Sequence, residues 1–216
     1  NYGAESVPEE FLQNKTHRYY FRSSIALDKG MVYISPLDLN IENRKIEKPH
    51  KPMLRFATPV VDEDGDKRGV IILNYLASHF LNYLPTLHGK NVECHHFLLN
   101  NDGYWLYSSQ PGILLFGFMF PEEQQKNFIE QYPYASEAIF SEDSGVENTE
   151  NGTFIWQTIS PASVLKDFSD NYEKKITTEK SSVSWKSVSY IDNEQLQNIK
   201  SDSYHQIFKF FPYIVI

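Results

Sequence analysis

The chain has 216 residues, a formal net charge of −8 and one cysteine. This length fits one large domain or two small ones, and the content of 41% hydrophobic and 15% aromatic residues is enough for a sizeable core. The negative charge argues against a nucleic-acid-binding surface, which would need clustered Lys and Arg. The single cysteine excludes an intramolecular disulfide framework, but it fits both the cytoplasm and a bacterial periplasmic domain built without disulfides.

The N-terminal part of the chain is predicted to form two helices and a strand. Pro8 is tolerated in the first turn of a helix, and the acids that follow it favour a short helix there. Thr16–Leu27 is predicted as a second helix, with Gly30 as its C-terminal cap. Met31–Ser35 alternates in the manner of a strand, and Pro36 stops it.

A long hairpin is the clearest signal in the chain. Leu39–Lys51, just before it, is predicted as a charged loop or a smaller hairpin. Two β-prone runs, Pro52–Val61 and Val70–Tyr75, then flank the acidic, glycine-bearing segment Asp62–Asp66. Asp and Gly are the residues that turns between strands demand, so two antiparallel strands are predicted.

The second half is predicted to contain strands, helices and a linker. Ala77–Leu84 is predicted as a short helix and Thr86–Asn91 as a linker, and His95–Ser109 has the pattern strand, turn, strand. The remaining predicted elements are a helix at Pro121–Tyr132, a strand at Gly152–Ile159, a mobile loop at Lys166–Ser181, a half-buried strand at Ser182–Ile191 and a closing helix from Glu194 to about Phe211. Strand pairs with intervening helices indicate antiparallel sheets with helices outside, the α+β class.

The possible metal ligands give no convincing site. Asp62, Asp64 and Asp66 begin like a calcium loop, but Lys67 and Leu73 stand where that loop needs a Gly and an acid. The clustered soft ligands are His88, Cys94, His95 and His96. Their spacing is not typical of zinc sites, and adjacent histidines on a strand point to opposite faces. We therefore predict that Asp62–Asp66 is a solvated turn and that Cys94 has a structural role. We predict no metal or other cofactor.

The C-terminal run 207–216 is apolar except for Lys209. Its length favours a buried strand or helix, because a membrane span needs about 20 apolar residues. The alternative is the first turns of a membrane-spanning helix.

The order of elements from Arg18 to Tyr75 resembles a known family. An aromatic pair on a helix, a short strand, a Ser-Pro turn and a long hairpin are similar to the membrane-distal half of a double Cache (PAS-like) sensor domain. The resemblance implies an α+β fold of two tandem PAS-like subdomains, each an antiparallel sheet flanked by helices. It places the distal subdomain at 1–84, without its N-terminal part, the proximal subdomain at 85–192, and a C-terminal helix that leads towards a membrane span at 193–216.

The resemblance also implies a function. Such domains are the extracytoplasmic, periplasmic parts of bacterial inner-membrane receptors, chiefly histidine kinases, diguanylate cyclases and chemoreceptors. We therefore expect a non-enzymatic region that binds a small-molecule ligand, flanking membrane helices with a span starting near Phe208, a receptor homodimer in the full-length protein, and a kinase or cyclase output. Without the long helix that usually mediates pairing, the chain itself is expected to be a monomer or a weak dimer.

Small-ligand pockets need enclosing aromatic rings and a few polar groups. In Cache domains the ligand lies between a helix, the loop after it and the concave face of the sheet. The residues of this chain that match those places are His17, Arg18, Tyr19, Tyr20, Tyr33, Ser35, Arg55 and Asn74. Each has a structural alternative: Tyr19 and Tyr20 as core packing, for example, and Asn74 as a group that holds a neighbouring loop.

Arg55 is the most informative member of this set. It stands in an otherwise apolar strand, and a buried guanidinium needs a carboxylate or an anion as its partner. The partner is either a ligand or, in the structural alternative, Asp38 or Glu47. The amino-acid-binding branch of the family carries an Arg and an Asp where this chain has His17 and Asn74. A small carboxylate held by Arg55, Arg18 or His17 is therefore expected rather than an amino acid.

Two other classes of function remain open at this point. The chain has no nucleophile elbow, no Ser-x-x-Lys with partner motifs and no phosphate loop. A soluble periplasmic or secreted hydrolase would therefore need an unrecognised site. A module that binds another protein through exposed aromatic residues is the third alternative.

Overall fold

The computed structural model describes residues 6–84, 94–163, 177–178 and 183–198. The helices of the described ranges include α1 (Tyr19–Ala26), α2 (Ser78–Leu81), α3 (Phe128–Gln131), α4 (Pro133–Ser141) and α5 (Asn193–Asn198), with 3₁₀ turns at Glu9–Phe11, Gly117–Met119 and Pro121–Glu123. The strands are β1 (Met31–Ile34), β2 (Asp38–Leu39), β3 (Ile41–Glu42), β4 (Lys45–Ile46), β5 (Pro52–Val61), β6 (Lys67–Leu76), β7 (His95–Leu99), β8 (Trp105–Ser108), β9 (Ser144–Thr149), β10 (Gly152–Ile159), β11 (Thr177–Thr178) and β12 (Trp185–Asp192).

The first sheet is organised around β5. Strands β1 and β2 pair with one edge of β5, and β6 pairs with the other edge, all antiparallel. The Asp62 carboxylate stabilises the turn of the long hairpin by accepting the backbone N–H groups of Asp64 and Asp66. Strand β11 pairs with β1 in parallel, although it comes from the range assigned to the second subdomain. The division of the chain into two subdomains near residue 84 therefore stays a prediction. The short strand β11 follows that point in the chain but pairs with a strand of the first sheet.

The second sheet has five antiparallel strands in the order β8-β7-β12-β10-β9. Helices α3 and α4 cover one of its faces, and the aromatic and aliphatic residues there form a core with Phe128 and Ile139. Apart from the short parallel pair β1–β11, both sheets are antiparallel, and helices pack beside them, which confirms the predicted α+β class.

A second core connects the two sheets. It contains Ile34, Leu39 and Leu54 from the first sheet, and Leu98, Leu106 and Trp185 from the second. Because the second sheet is covered on both faces, its central strand β12 buries Lys186 and Ser189 as well as its apolar residues. The prediction that this strand is only half-buried is therefore wrong.

The predicted helix at Pro121–Tyr132 is also wrong as a continuous element. The segment forms a 3₁₀ turn, and α3 begins only after Asn127, whose side chain accepts the backbone N–H of Glu130. Pro133 then starts a separate helix, α4. Neither α4 nor β9 is predicted by the sequence pattern. Helix α1 begins at Tyr19 rather than Thr16, because the preceding residues form a turn in which Lys15 accepts the N–H of Arg18.

Some predictions fall outside the described residues. These are the linker at Thr86–Asn91, most of the loop at Lys166–Ser181, His88, and the C-terminal helix and apolar run beyond residue 198. Within the described ranges, no helix combines the length and the apolar character that a membrane span requires.

Candidate ligand-binding site

Arg55 lies at the centre of the candidate site, between α1 and the first sheet. Its side chain is only 2% exposed, and its guanidinium carbon lies 4.9 Å from the centre of the Tyr20 ring. The Nη1 atom is 2.5 Å from Oδ1 of Asp38, and Nη2 donates to Oδ1 of Asn40 at 3.2 Å. The guanidinium is thus held by a carboxylate, an amide and an aromatic face, all from the protein.

Tyr19 connects α1 to this ion pair. Its hydroxyl donates to Oδ2 of Asp38 at 2.6 Å and accepts from Nη1 of Arg55 at 3.4 Å. Burial, followed by the charge of Asp38, raises the pKa of Tyr19 above its ordinary value. Burial opposes the charge on Arg55, but Asp38 outweighs this effect and the pKa of Arg55 is raised. Tyr19 is therefore neutral and Arg55 charged at any physiological pH.

Two further groups complete the buried network. Asn40 accepts from Arg55 and donates to the Glu47 carboxylate at 2.9 Å, so Glu47 reaches Arg55 through an amide. The Ser35 hydroxyl is buried and accepts the backbone N–H of Arg55 at 2.9 Å. Ser35 therefore positions the strand that carries Arg55.

Besides Asn74, four of the predicted residues are accessible from solvent to some extent. Tyr19 is 37% exposed, Tyr33 and Arg18 are half-buried, and His17 is exposed just before α1. Burial raises the pKa of Tyr33. The guanidinium carbon of Arg18 lies 5.3 Å from the centre of the Tyr20 ring, and Arg18 forms no ion pair with a described residue. His17, Arg18 and Tyr19 lie at the start of α1, whereas Tyr33 lies on β1.

Asn74 stands apart from the others. It pairs with Arg55 across β5 and β6, so both side chains emerge on the same face of the sheet. Its side chain is exposed, however, and no hydrogen bond joins it to a described residue. The structure thus brings six of the eight predicted residues together, whereas no hydrogen bond, ion pair or ring contact joins His17 or Asn74 to a side chain in the described part of the chain.

Of the two alternatives for the partner of Arg55, this geometry supports the structural one. Asp38, the partner in the structural alternative, forms the ion pair directly. A carboxylate ligand at Arg55 would have to displace Asp38 from a buried site, which would leave that carboxylate uncompensated. Asp38 and Asn40 are the residues that the site prediction omitted. Asp38 is predicted only as the alternative partner of Arg55, and in the structure it lies opposite Met53, on the face of the sheet that carries Arg55.

Cys94 makes a local contact within the described part of the cluster that the sequence singles out. The Sγ atom lies 2.7 Å from Nε2 of His96, whose Nδ1 lies 2.9 Å from the Ser189 hydroxyl. Burial raises the pKa of Cys94 to about 11, which disfavours the reactive thiolate. No group of three or more possible metal ligands occurs within the residues that the structure describes.

Comparison with known proteins identifies the class of this fold. A family model described as "Bacterial histidine kinase, sensor domain" matches residues 3–167. The chain belongs to this family. The resemblance to bacterial sensor domains that the sequence predicts is thus confirmed, and a sensor domain is not itself catalytic. A comparison with curated proteins gives no match.

Three solved structures show the same fold at low sequence identity. The extracellular domain of a protein described as a histidine kinase, vpHK1S-Z8, has 21% identity and a TM-score of 0.64, with 86% of this chain and 59% of that chain covered. A domain of a sensory box/GGDEF family protein from Vibrio parahaemolyticus has 21% identity, a TM-score of 0.65 and coverages of 87% and 62%. The ligand-binding domain of the Pseudomonas aeruginosa PAO1 amino acid chemoreceptor PctC, in complex with GABA, has 16% identity, a TM-score of 0.52 and coverages of 88% and 65%. The chain spans less than two thirds of the length of each.

Proposed function

We propose that the chain is the periplasmic, ligand-sensing part of a bacterial inner-membrane receptor, and that a small molecule binds at the start of α1. The observation that carries this proposal is the Tyr19–Asp38–Arg55 network, which ties α1 to two strands of the first sheet through buried polar contacts. A ligand that contacts the accessible side of α1 therefore acts on a helix already linked to the sheet.

The chemistry at the start of α1 favours a small carboxylate. Arg18 precedes the helix and no side chain caps it, so the first-turn N–H groups lack a side-chain acceptor. Arg18 supplies a guanidinium without an ion-pair partner among the described residues, and His17 lies beside it. A helix N-terminus together with a cation suits an anion. Tyr19 and Tyr33 supply rings that enclose an apolar portion, while Arg55 keeps Asp38 in place.

The path of transmission runs through β5. Arg55 lies on the face of β5 that meets α1, whereas its neighbour Leu54 lies on the opposite face, in the core shared with the second sheet. A movement of α1 and β5 on ligand binding changes the packing against the second sheet. Such coupling requires that the ligand favour one of two packings, because equal affinity for both shifts nothing.

The assignments for the whole protein belong to this proposal as well. We infer flanking helices that anchor the receptor in the membrane, a homodimer in the full-length protein, and a histidine kinase or diguanylate cyclase output. The family to which the chain belongs supports the kinase, and the GGDEF-family neighbour supports the cyclase. We do not expect nucleic acid among the binding partners of the receptor.

Calorimetric titration of the chain with acetate, pyruvate and succinate tests the ligand class. We expect at least one of the three to bind, and Arg18→Gln to weaken that binding about ten- to a hundredfold, because a charge-assisted hydrogen bond is lost. Arg22→Gln is the matched control, since Arg22 is exposed on the same helix and should leave the affinity unchanged.

Two results would contradict the proposal. One is the absence of binding by all three carboxylates. The other is an equal effect of Arg18→Gln and Arg22→Gln, which would mean that only the overall charge of the helix matters.

A further inference from the structure

A cavity of about 390 Å³ lies beside the second sheet, on the side that α3 and α4 cover. This volume falls within the range of small-ligand pockets, about 300–1,000 Å³. Its apolar wall is formed by Trp105, Ile113 and Leu114. The polar side chains around it include Glu123, Lys126, Glu130 and Gln131. None of these residues belongs to the site at α1.

Trp105 gives this cavity a specific chemical requirement. The side chain is 3% exposed, and its indole N–H is buried without an acceptor in the described part of the chain. By contrast, the indole N–H of Trp156 donates to the backbone carbonyl of Glu142 at 3.1 Å. A buried donor is normally paired, so an unpaired one in a cavity wall indicates an acceptor that comes from outside the chain.

The charges around the cavity indicate which charged group a ligand would carry at its other end. Nζ of Lys126 lies 2.5 Å from the Glu123 carboxylate, so these two charges compensate each other. Glu130 forms no ion pair with a described residue and its side chain is exposed. The cavity therefore presents one uncompensated carboxylate together with one unpaired N–H donor.

We propose that this cavity binds a small organic ammonium compound that also carries a hydrogen-bond acceptor. Glu130 holds the ammonium group, and the acceptor takes the indole N–H of Trp105. Because the nitrogen has less than 1 Å² of accessible area, side chains around it must move aside as the acceptor enters. The site is separate from the start of α1, so it does not depend on the function proposed above.

Nuclear magnetic resonance of the ¹⁵N-labelled chain tests this directly. The chain has three tryptophans, so three indole N–H signals are expected, and Trp→Phe variants assign them. Glycinamide, an ammonium compound with a carbonyl acceptor, and ethanolamine are the probes; methylammonium, which lacks an acceptor, is the control. We expect the first two to move the Trp105 signal, methylammonium to leave it in place, and the Trp156 signal to stay unchanged.

A matched pair of variants tests the role of the carboxylate. Glu130→Gln should weaken the binding of glycinamide about tenfold, because a charge-assisted contact is lost. Glu122→Gln should leave it unchanged, since Glu122 is exposed on the same segment but does not line the cavity.

Three results would overturn the proposal. They are a Trp105 signal that neither glycinamide nor ethanolamine moves, equal effects of the two Glu→Gln variants, and an acetate-induced shift as large as the glycinamide shift. The last would assign the cavity to anions. None of these results bears on binding at Arg18, which the titration with carboxylates measures separately.

Discussion

Arg55 shows how a single buried charge is accommodated in the first sheet. The ion pair with Asp38 compensates the charge, Asn40 satisfies a second nitrogen, and the Tyr20 ring covers one face of the guanidinium. A buried pair of this kind is weak evidence for stability, because desolvation offsets much of the attraction. Removing only one partner is a different matter, since it leaves an uncompensated charge in the interior.

Replacing Arg55 should therefore destabilise the fold rather than only abolish binding. We expect Arg55→Met to lower the free energy of unfolding by about 3–5 kcal/mol in urea denaturation, because Asp38 loses its partner. The double variant Arg55→Met/Asp38→Leu should recover much of the loss. Arg68→Met, at a salt bridge whose Arg side chain is 62% exposed, should change stability little. A fully stable Arg55→Met would show that the ion pair has no structural role.

Tyr19 predicts a pH dependence of stability at alkaline pH. A raised pKa means that the folded protein holds the hydroxyl proton more tightly than the unfolded chain does. This contribution is complete below the ordinary value of 10.0, and it is lost as the pH rises above that value, because only the unfolded state then ionises. Thermal melting temperatures measured from pH 8 to about 11 should therefore fall less steeply in Tyr19→Phe than in the wild type.

Tyr134→Phe is the control for this measurement. Its side chain is 75% exposed, and the variant should follow the wild-type curve. Since burial also raises the pKa of Tyr33 and Tyr132, some alkaline slope should remain in Tyr19→Phe. An unchanged slope in Tyr19→Phe would contradict a raised pKa of Tyr19 in the folded protein.

At the scale of elements, strand β9 depends on a close approach to the strand beside it. A Cβ atom placed on Gly145 would lie 2.5 Å from the indole ring of Trp156, which faces it across β9 and β10. Gly145→Ala should lower the free energy of unfolding by about 1–3 kcal/mol, because the buried ring cannot move freely. Gly69→Ala on the edge strand β6 is the control: its Cβ would meet nothing within 4 Å, and the change should be neutral or slightly stabilising. Equal denaturant midpoints for the two variants would show that the Trp156 ring moves to make room for the added methyl group.

The broken helix at 121–132 illustrates a competition between local signals. Pro121 and the acids after it favour a helix start, and Phe128 and Tyr132 have helical spacing. Asn127, however, provides a cap in the middle of the segment, and Pro133 begins a new helix immediately afterwards. The capping hydrogen bond, in which the Asn127 side chain accepts the backbone N–H of Glu130, outweighs the continuity of the pattern, because an N-cap contributes about 1 kcal/mol.

At the scale of the whole molecule, the shared core predicts that the two sheets unfold together. Leu54 lies in the first sheet, whereas Trp105, Trp156 and Trp185 all lie in the second. Leu54→Ala should lower the free energy of unfolding by about 2–5 kcal/mol, and the tryptophan fluorescence transition should shift with it. Val60→Ala on the same strand, where Val60 is 38% exposed, should have a much smaller effect. A tryptophan transition that Leu54→Ala leaves in place would show that the sheets unfold independently.

The sequence predicts much of the first sheet and little of the segment between β8 and β10. The long hairpin follows from its turn chemistry, and β1 follows from alternation and a stop at Pro36. The short strand β9, SGVENT, lacks an apolar alternation, and its burial depends on pairing with β10. The pattern of β12 indicates a strand correctly, but the burial of Lys186 depends on α4, whose C-terminal carbonyl at Glu142 accepts the ammonium at 2.6 Å.

By itself, the sequence indicated the α+β class, because turn residues and alternation are local properties, and its resemblance to a known family implied the bacterial sensor type. It also indicated that Arg55 needs a partner, since a guanidinium in an apolar strand must be compensated wherever it is buried. Only the tertiary structure decided that the partner is Asp38, that Asn74 lies at the margin and that Trp105 lines a cavity. Those facts depend on which strands pair and which helices cover them, and that pairing is set by contacts between residues far apart in the chain.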